Sequence, residues 1–315
     1  MPARKPRIAV IGSNNVDLVT YVNRMPVPGE TIEARDFEMG HGGKGANQAV
    51  AAARLGAQVV MLTAVGDDLF GDQTLENFAR FGIDTTLIKR VKGKSSGVAP
   101  ILVEPSGENS ILIVKGANAD LLPADVEAAA ETLKSCDLIL LQLEIPLETV
   151  YAAIAFGKRH GIRTLLNPAP ANPELDAEKV RDVSFFAPNE TELASLTGLA
   201  VATEAEVAAA AQSLIAKGVE TVIVTLGSRG ALLVTANRVH KVDPVRVTSV
   251  DTTGAGDAFV GAFARFYAGG ASLEEALGQA ALYAADSVTR RGAQKAYADA
   301  ADFAAFRERA KAAAV

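Results

Sequence analysis

The amino-acid sequence is poor in cysteine, histidine and aromatic residues. Its 315 residues include one cysteine, three histidines and no tryptophan, and 5% of them are aromatic. A single cysteine excludes a disulfide within the chain and is typical of a reducing compartment. Cys136 lies between a helical pattern and an apolar run, so we expect a buried thiol rather than a reactive one.

Blocks of basic charge and long apolar runs are also absent. The net charge is −6 at pH 7, so nucleic acid and anionic membranes are not expected partners. No apolar run approaches the ~20 residues of a membrane span. The N-terminal basic residues precede an apolar run of only about five residues, too short for a signal peptide. We expect a soluble, cytoplasmic protein.

Apolar strands and amphipathic helices alternate along much of the chain, in which 49% of residues are hydrophobic. The expected strands are 8–11, 59–65, 138–143, 163–166, 185–187 and 221–226, and the expected helices include 70–81, 123–134, 147–159, 190–197, 204–217, 259–268 and 272–290. This alternation predicts a parallel sheet with helices on both faces. The length allows one large domain or two smaller ones.

The stretch DTTGAGDAF, Asp251 to Phe259, is the centre of the functional interpretation. An apolar, β-branched run precedes it and a helical pattern follows it, so we expect a strand-to-helix junction. Gly254 and Gly256 would open the N–H groups of the first helical turn to an anion. Asp257 would then be a general base for phosphoryl transfer. The alternative is an N-terminal carboxylate favoured only by the helix dipole.

Polar residues also follow two buried strands, where parallel sheets bind ligands. Asn15 and Asp17 come after the strand ending at Gly12, and Glu144 closes the run DLILLQLE. An ionised Asp can accept two hydroxyl donors at once, which suits a vicinal diol. The alternatives are an Asx-rich turn for the first pair and a helix cap for Glu144.

The segment GHGGKG at Gly40 to Gly45 formally satisfies a dinucleotide-binding pattern. No buried strand precedes it, and Lys44 is not followed by Ser or Thr, so neither a dinucleotide site nor a P-loop is expected. We expect its glycines to let a small polar ligand approach the backbone, with Asn47 on the following helix. The alternative function of an NAD-dependent dehydrogenase has no support in the sequence other than this pattern.

Two further patterns accompany these motifs. Asn189 and Glu192 in PNETE could form a helix-capping pair or contact a ligand. Alternating residues at 17–40 and 96–116 interrupt the βα rhythm, and the second segment contains the hairpin signal Pro105 to Glu108.

Together these motifs resemble the ribokinase family of carbohydrate kinases. DTTGAGDAF is similar to the family's C-terminal signature and GHGGKGANQAVAAARLG to its N-terminal one, and GSNNVD, PNETE and TLGSRG add to the match. The resemblance spans nearly the whole chain. It implies an α/β, ribokinase-like three-layer fold in one domain, 1–315, with a mostly parallel central sheet and a small β-sheet lid formed by 17–40 and 96–116.

The resemblance also implies roles for individual residues. The catalytic group would be Asp257 with the backbone of Gly254, Ala255 and Gly256. The sugar contacts would be Asn15, Asp17, Gly43, Lys44, Gly45, Asn47 and Glu144, together with Asp257. The nucleotide and its hydrated Mg²⁺ would contact Asn189, Glu192, Thr225, Gly227, Ser228, Gly230, Gly256 and Ala281.

A monovalent cation, K⁺, would lie beside the anion hole. The implied ligands are Asp251, Thr253, Ser287, Arg290, Gly292 and Ala296. Ala281 and Ala296 depart from the family pattern, in which histidine often packs near the adenine and serine often joins the cation site.

The expected function is ATP-dependent phosphorylation of the 5-hydroxyl of D-ribose. Alternatives are a kinase for deoxyribose, fructose, adenosine or another small polyol, and a non-catalytic sugar or nucleotide sensor. The expected partners are the sugar, ATP and a second copy of the chain paired through the lid, whose edge strands offer a dimerisation surface.

Overall fold

A sheet of eight strands forms the centre of the computed structural model, which describes residues 4–313. The strands of these residues are β1 (Arg7–Ile11), β2 (Asn15–Tyr21), β3 (Asp36–Gly42), β4 (Gln58–Leu62), β5 (Ala64–Gly66), β6 (Lys89–Val91), β7 (Val98–Val103), β8 (Asn109–Ile111), β9 (Leu138–Leu141), β10 (Arg163–Leu166), β11 (Phe185–Phe186), β12 (Thr221–Thr225), β13 (Ala231–Thr235) and β14 (Arg238–Val242). The order across the central sheet is β14-β13-β12-β11-β10-β9-β1-β4. The strands from β12 to β4 are parallel, and the β13–β14 hairpin adds an antiparallel edge.

Helices cover both faces of this sheet. They are α1 (Lys44–Arg54), α2 (Leu69–Arg80), α3 (Pro123–Ala128), α4 (Ala130–Leu133), α5 (Leu147–His160), α6 (Ala177–Val180), α7 (Glu190–Thr197), α8 (Glu204–Ile215), α9 (Ala255–Ala268), α10 (Leu273–Ser287) and α11 (Ala300–Ala313). The period of two in β1 sends Ala9 and Ile11 to the face covered by α3 to α8, and Ile8 and Val10 to the face covered by α1, α2 and α9 to α11. The predicted three-layer α/β arrangement is confirmed.

A second sheet, with the order β3-β2-β7-β8, lies outside the central one. It is built from the two segments that interrupt the βα rhythm, and the predicted turn at 105–108 connects β7 to β8 in register Val103 to Asn109. Several large apolar side chains on it are exposed: Phe37, Met39, Ile111, Leu112, Ile113 and Val114. This small sheet therefore presents an unusually apolar surface.

The expected strand before DTTGAGDAF is absent from the described structure. Residues 243–250 are exposed or half-buried and belong to no strand. Pro244 lacks a backbone N–H, and no other strand lies in register to pair with the segment. The prediction of a strand-to-helix junction was therefore wrong about the strand and right about the helix.

None of the helices in residues 4–313 combines the length and the apolar character that crossing a bilayer requires.

Candidate active site

The N-terminus of α9 is the most open part of the candidate site. Gly254 is its N-cap with φ 74°, and Asp257 lies in the first turn with 6% of its surface exposed. The Ala255 N–H donates to the Thr252 carbonyl at 3.2 Å, whereas residues 4–313 provide no partner for the N–H groups of Gly256 and Asp257. A Cβ added to Gly256 would meet no atom within 4 Å. Two backbone donors therefore face open space beside a buried carboxylate, as an anion site requires.

A buried tyrosine supports this turn from behind. The Tyr297 hydroxyl donates to the Gly254 carbonyl at 2.9 Å. Burial, reinforced by Asp257, raises the pKa of Tyr297 well above its ordinary value, so it stays a donor. A Cβ on Gly254 would lie 2.6 Å from the Tyr297 hydroxyl oxygen. The positive φ and this close contact both require glycine at the N-cap.

The Asp257 carboxylate is held by two amides of α1. The Nδ2 group of Asn47 donates to Oδ2 at 3.0 Å, and Nε2 of Gln48 donates to Oδ1 at 3.0 Å. The N-terminal and C-terminal signatures therefore meet at one carboxylate. Sequence reasoning identified Asn47 but missed Gln48, although it follows Asn47 directly.

Lys44 and Glu144 lie next to this group. The Glu144 carboxylate accepts hydrogen bonds from the Lys44 backbone N–H at 2.9 Å and from the Ser13 hydroxyl at 2.5 Å. Asp257 chiefly, with Glu144 and Glu192, raises the pKa of the Lys44 ammonium against the opposing effect of burial. The Lys44 side chain therefore remains charged among carboxylates. Glu144 anchors the start of α1 and keeps its second oxygen for a ligand.

Asn15 and Asp17 lie on β2 rather than in a loop after β1. The Asn15 Oδ1 accepts from Asn118 Nδ2 at 3.0 Å, which leaves the Asn15 amide N–H groups as donors. Burial first, then the charges of Glu144 and Asp257, raise the pKa of Asp17 to about 7. The carboxylates of Asp17, Glu144 and Asp257 therefore belong to one electrostatic site.

Two glycines allow this crowded arrangement. Gly43 has φ 85°, and a Cβ there would lie 2.8 Å from the Asn15 backbone nitrogen. A Cβ on Gly45 would lie 2.7 Å from the Ser13 backbone nitrogen. Gly43 and Gly45 therefore let two segments of the protein backbone lie in contact, and the approach of a polar ligand to GHGGKG stays a prediction.

A cavity of about 270 Å³ opens at Glu144. It is lined by Ile113 and Lys115 from the small sheet and the turn after it, and by the segment 170–173. The cavity therefore lies between the central sheet and the small sheet, beside a sugar contact implied by the sequence.

Asn189 and Glu192 form a complete capping box at the start of α7. The Asn189 side chain accepts from the Glu192 N–H at 2.8 Å, and the Glu192 side chain accepts from the Asn189 N–H at 2.8 Å. Burial raises the pKa of Glu192, against the opposing effects of the Asn189 N–H and of Lys44. One carboxylate oxygen of Glu192 is left for another contact. Thr225 pairs with Asn189 as a parallel bridge, so the ends of β11 and β12 meet here.

The turn after β12 contains two glycines with positive φ. Gly227 has φ 56° and Gly230 has φ 93°, with Ser228 exposed between them. Leu226 N–H donates to the Gly230 carbonyl at 2.9 Å. Ala281, which was expected near an adenine, lies partly buried on α10.

Asp251 organises the loop before α9. It accepts from the Thr253 N–H at 2.9 Å and hydroxyl at 2.7 Å, and from the Gly292 N–H at 2.8 Å. Burial opposes ionisation, but the hydrogen bonds from Gly292 and Thr253 lower the pKa of Asp251 overall. Three of the residues implied for a monovalent cation are therefore in direct contact.

The other three implied cation ligands are engaged differently. The Ser287 carbonyl accepts from the Arg290 N–H at 3.2 Å. The Arg290 guanidinium binds Asp286 and also donates to the Ala296 carbonyl, with Nε at 2.9 Å. A guanidinium on the Ala296 carbonyl would repel a second cation there. In residues 4–313 no group of three or more His, Cys, Asp or Glu side chains is placed to hold a metal ion.

A buried network of amides completes the site and was not found from the sequence. Its members are Asn77, Gln142, Asn167 and Gln294 around Asn47 and Gln48, with Asn14 and Asn118 behind Asn15. They come from distant parts of the chain and follow no motif, so no local pattern could have identified most of them. Of the residues that were missed, Asn14 and Gln48 lie in motifs, GSNNVD and GHGGKGANQAVAAARLG respectively.

Comparisons with known proteins identify the family of this chain. A model of the pfkB family of carbohydrate kinases matches residues 5–300. The chain is 56% identical over 290 residues to the deoxyribokinase of Salmonella typhi, covering 92% of this chain and 95% of that protein. It is 44% identical over 296 residues to the ribokinase of Schizosaccharomyces pombe, covering 91% of this chain and 93% of that protein.

The structural comparison leads to the same family. The structure of Arabidopsis thaliana ribokinase complexed with ribose and ATP matches with a TM-score of 0.90 at 31% identity, covering 96% of this chain and 99% of that chain. The chain therefore belongs to the pfkB family of carbohydrate kinases and is a sugar phosphotransferase.

Proposed function

We propose that the protein transfers the terminal phosphoryl group of ATP to the 5-hydroxyl of D-ribose, giving D-ribose 5-phosphate and ADP. The observation that carries this proposal is the pairing of the buried Asp257 carboxylate with the open N–H groups of Gly256 and Asp257. The matching Arabidopsis ribokinase was solved with ribose and ATP.

In the proposed reaction Asp257 accepts the proton of the sugar hydroxyl as that oxygen attacks the terminal phosphorus. The bond from phosphorus to the leaving oxygen of ADP breaks as the new bond forms, so the phosphoryl group passes from ATP to the sugar. The N–H groups at the start of α9 stabilise the negative charge on the group in transfer. The Lys44 ammonium adds a positive charge next to the same carboxylate.

The nucleotide and Mg²⁺ fit the edge of the sheet at α7. Mg²⁺ is usually held by one or two carboxylates, waters and phosphate oxygens, and Glu192 has one carboxylate oxygen outside its capping box. Asn189, Glu192, Thr225 and the turn 227–230 would line the nucleotide. When bound, Mg²⁺ would neutralise phosphate charge beside the carboxylates of the site.

A K⁺ site is proposed only around Asp251. Thr253 and Gly292 already contact this carboxylate, and their carbonyl groups together with that of Ser287 would complete the set. A requirement for K⁺ that Asp251→Asn weakens would support this site.

Ribose is proposed over 2-deoxyribose because of Asn15 and Asp17. A free amide donor and a carboxylate acceptor on the same strand suit two adjacent hydroxyl groups. The second candidate, 2-deoxyribose, is favoured by the 56% identity to a deoxyribokinase. The two functions differ in one hydroxyl, and a site built to bond that hydroxyl should reject the analogue lacking it strongly.

The test is ADP release with ribose, 2-deoxyribose, fructose and adenosine, with and without K⁺. We expect the highest kcat/KM with ribose, and only a small residual rate in Asp257→Asn, which should still bind sugar. A higher kcat/KM with 2-deoxyribose would make 2-deoxyribose, rather than ribose, the substrate. Wild-type rates in Asp257→Asn would refute the role of Asp257 as the general base. The absence of ADP release with every sugar tested would favour a non-catalytic sugar sensor.

We also propose that the small sheet is a lid over the cavity at Glu144 and that two copies of the chain pair through it. Its exposed apolar side chains, among them Leu112 at 67% exposure, are what such pairing would bury. Light scattering on wild type and Leu112→Glu tests this. A monomer in the wild type would contradict the pairing.

A further inference from the structure

We propose that Gln48 is a positioning residue that holds the Asp257 carboxylate in the orientation needed for proton transfer. This proposal rests on the base role proposed above for Asp257. Gln48 is fully buried, and its Nε2 donates to Asp257 Oδ1 at 3.0 Å. Asn47 fixes the other oxygen at the same distance. Both oxygens are thus restrained by α1, which leaves the carboxylate one orientation.

The packing of α9 on α1 makes this contact possible. A Cβ on Gly261 would lie 2.6 Å from the Gln48 carbonyl oxygen and 2.7 Å from the Ala51 Cβ. Glycine at this position therefore lets the two helices approach closely, one turn beyond Asp257. The distance between Gln48 and Asp257 is set by this helix contact rather than by a flexible loop.

The orientation of the Gln48 amide is determined by its neighbours. The Ala187 carbonyl can only accept, and Asn167 Nδ2 donates to it at 2.8 Å. Asn167 must then present Oδ1 to Gln48, whose Nε2 donates to it at 3.2 Å. Gln142 Nε2 donates to Gln48 Oε1 at 2.6 Å. With its oxygen occupied, Gln48 can offer only its amide N–H groups to Asp257.

A second arm holds Asn47 in the same way. Gln294 Nε2 donates to Asn47 Oδ1 at 3.0 Å, and Asn77 Nδ2 donates to Gln294 Oε1 at 2.8 Å. Asn47 must therefore direct its N–H groups to Asp257. Gln294 lies three residues before Tyr297, which supports the anion hole, so one segment restrains both parts of the site.

The test compares Gln48→Met with wild type. Methionine keeps the length and the burial but removes the donor. We expect kcat to fall about 10- to 100-fold, because a misplaced catalytic group costs that much, while KM for the sugar changes little. The matched control is Gln212→Met on α8, where the amide donates only to the Thr235 carbonyl at 3.0 Å. The control should keep the wild-type kcat.

A double variant separates positioning from a general loss of structure. If Gln48 acts through Asp257, adding Gln48→Met to Asp257→Asn should cause no further loss of the residual rate. An additive loss, or an unchanged kcat in Gln48→Met, would overturn the proposal. Wild-type activity in Asp257→Asn would instead refute the base role itself, which is a distinguishable result.

Gln294→Met provides an independent test should Gln48→Met fail to fold. It touches Asp257 only through Asn47, so we expect a smaller fall in kcat that also disappears in the Asp257→Asn background. An unchanged kcat in a folded Gln294→Met would overturn the proposed role of the second arm, and with no folded Gln48 variant it would overturn the whole proposal.

Discussion

Asp17 is a carboxylate whose ionisation the folded protein opposes. Burial, and then the charges of Glu144 and Asp257, raise its pKa from an ordinary 3.8 to about 7. Between these two pH values the folded protein keeps a proton that the unfolded chain has released. The contribution of Asp17 to the free energy of unfolding therefore falls as pH rises from about 4 to about 7 and stays low above that range.

The size of this effect follows from the pKa. A rise from 3.8 to about 7 corresponds to about 4 kcal/mol of lost stability, since a tenfold change in proton affinity is worth about 1.4 kcal/mol. Asp17 is only partly buried, and water screens part of the penalty. We therefore expect Asp17→Asn to raise the free energy of unfolding by about 1–2 kcal/mol at about pH 8.

The assay is urea unfolding at about pH 5 and about pH 8, followed by far-ultraviolet circular dichroism because the chain has no tryptophan. The matched control is Glu30→Gln. A hydrogen bond from Arg24 chiefly lowers the pKa of Glu30 to about 2, so this variant should gain no stability at the higher pH. The reasoning is refuted if Asp17→Asn is no more stable than wild type at about pH 8, or gains equally at both pH values.

The same variant should bind sugar poorly. A hydrogen bond to a charged group is worth about 1.5–3 kcal/mol, so KM for the sugar should rise at least about tenfold. Asp17→Asn would then be more stable and less active, as expected of a carboxylate retained for function.

Three further experiments test the packing described above. Gly254→Ala places a Cβ 2.6 Å from the Tyr297 hydroxyl at φ 74°, so steady-state kinetics should show a kcat at least about tenfold lower. An unchanged kcat would show that the turn tolerates a side chain. Burial raises the pKa of the Cys136 thiol to about 11, so mass spectrometry should detect alkylation only after unfolding. Rapid labelling of the native protein would contradict the burial. Gly261→Ala places a Cβ 2.6 Å from the Gln48 carbonyl, so urea unfolding should show a loss of about 1–3 kcal/mol, and wild-type stability would show that α1 and α9 separate easily.

The fold was largely predictable because its signals are local. The apolar run at 8–11 and the capping pair Asn189 and Glu192 of α7 each depend on residues within a few positions of one another. The segment 243–250 shows the limit of such signals, since its apolar, β-branched run predicts a strand but a strand also needs a partner to bond with. The residues of the segment itself do not indicate whether another strand is available to pair with it.

The site was predictable only where a motif carries it. Gly254, Asp257 and Asn47 lie in the two signatures, and the structure brings them together. Gln48 lies in the N-terminal signature, but its partner Asp257 is 209 residues away, and Gln294, 247 residues from its partner Asn47, lies in no motif. The amide orientations that give these residues their role appear only after the chain has folded.

The two signatures are incomplete without each other. In isolation, Asp257 would be a solvated carboxylate at a helix start, favoured by the helix dipole and by little else. Contact with α1 changes its chemistry, because Asn47 and Gln48 replace water as its hydrogen-bond donors and fix its direction. A base that is already oriented needs no reorganisation when the proton moves. The orientation of Asp257 therefore depends on the packing of α1 against α9, which Gly261 permits, and not on how far apart the two motifs lie in the sequence.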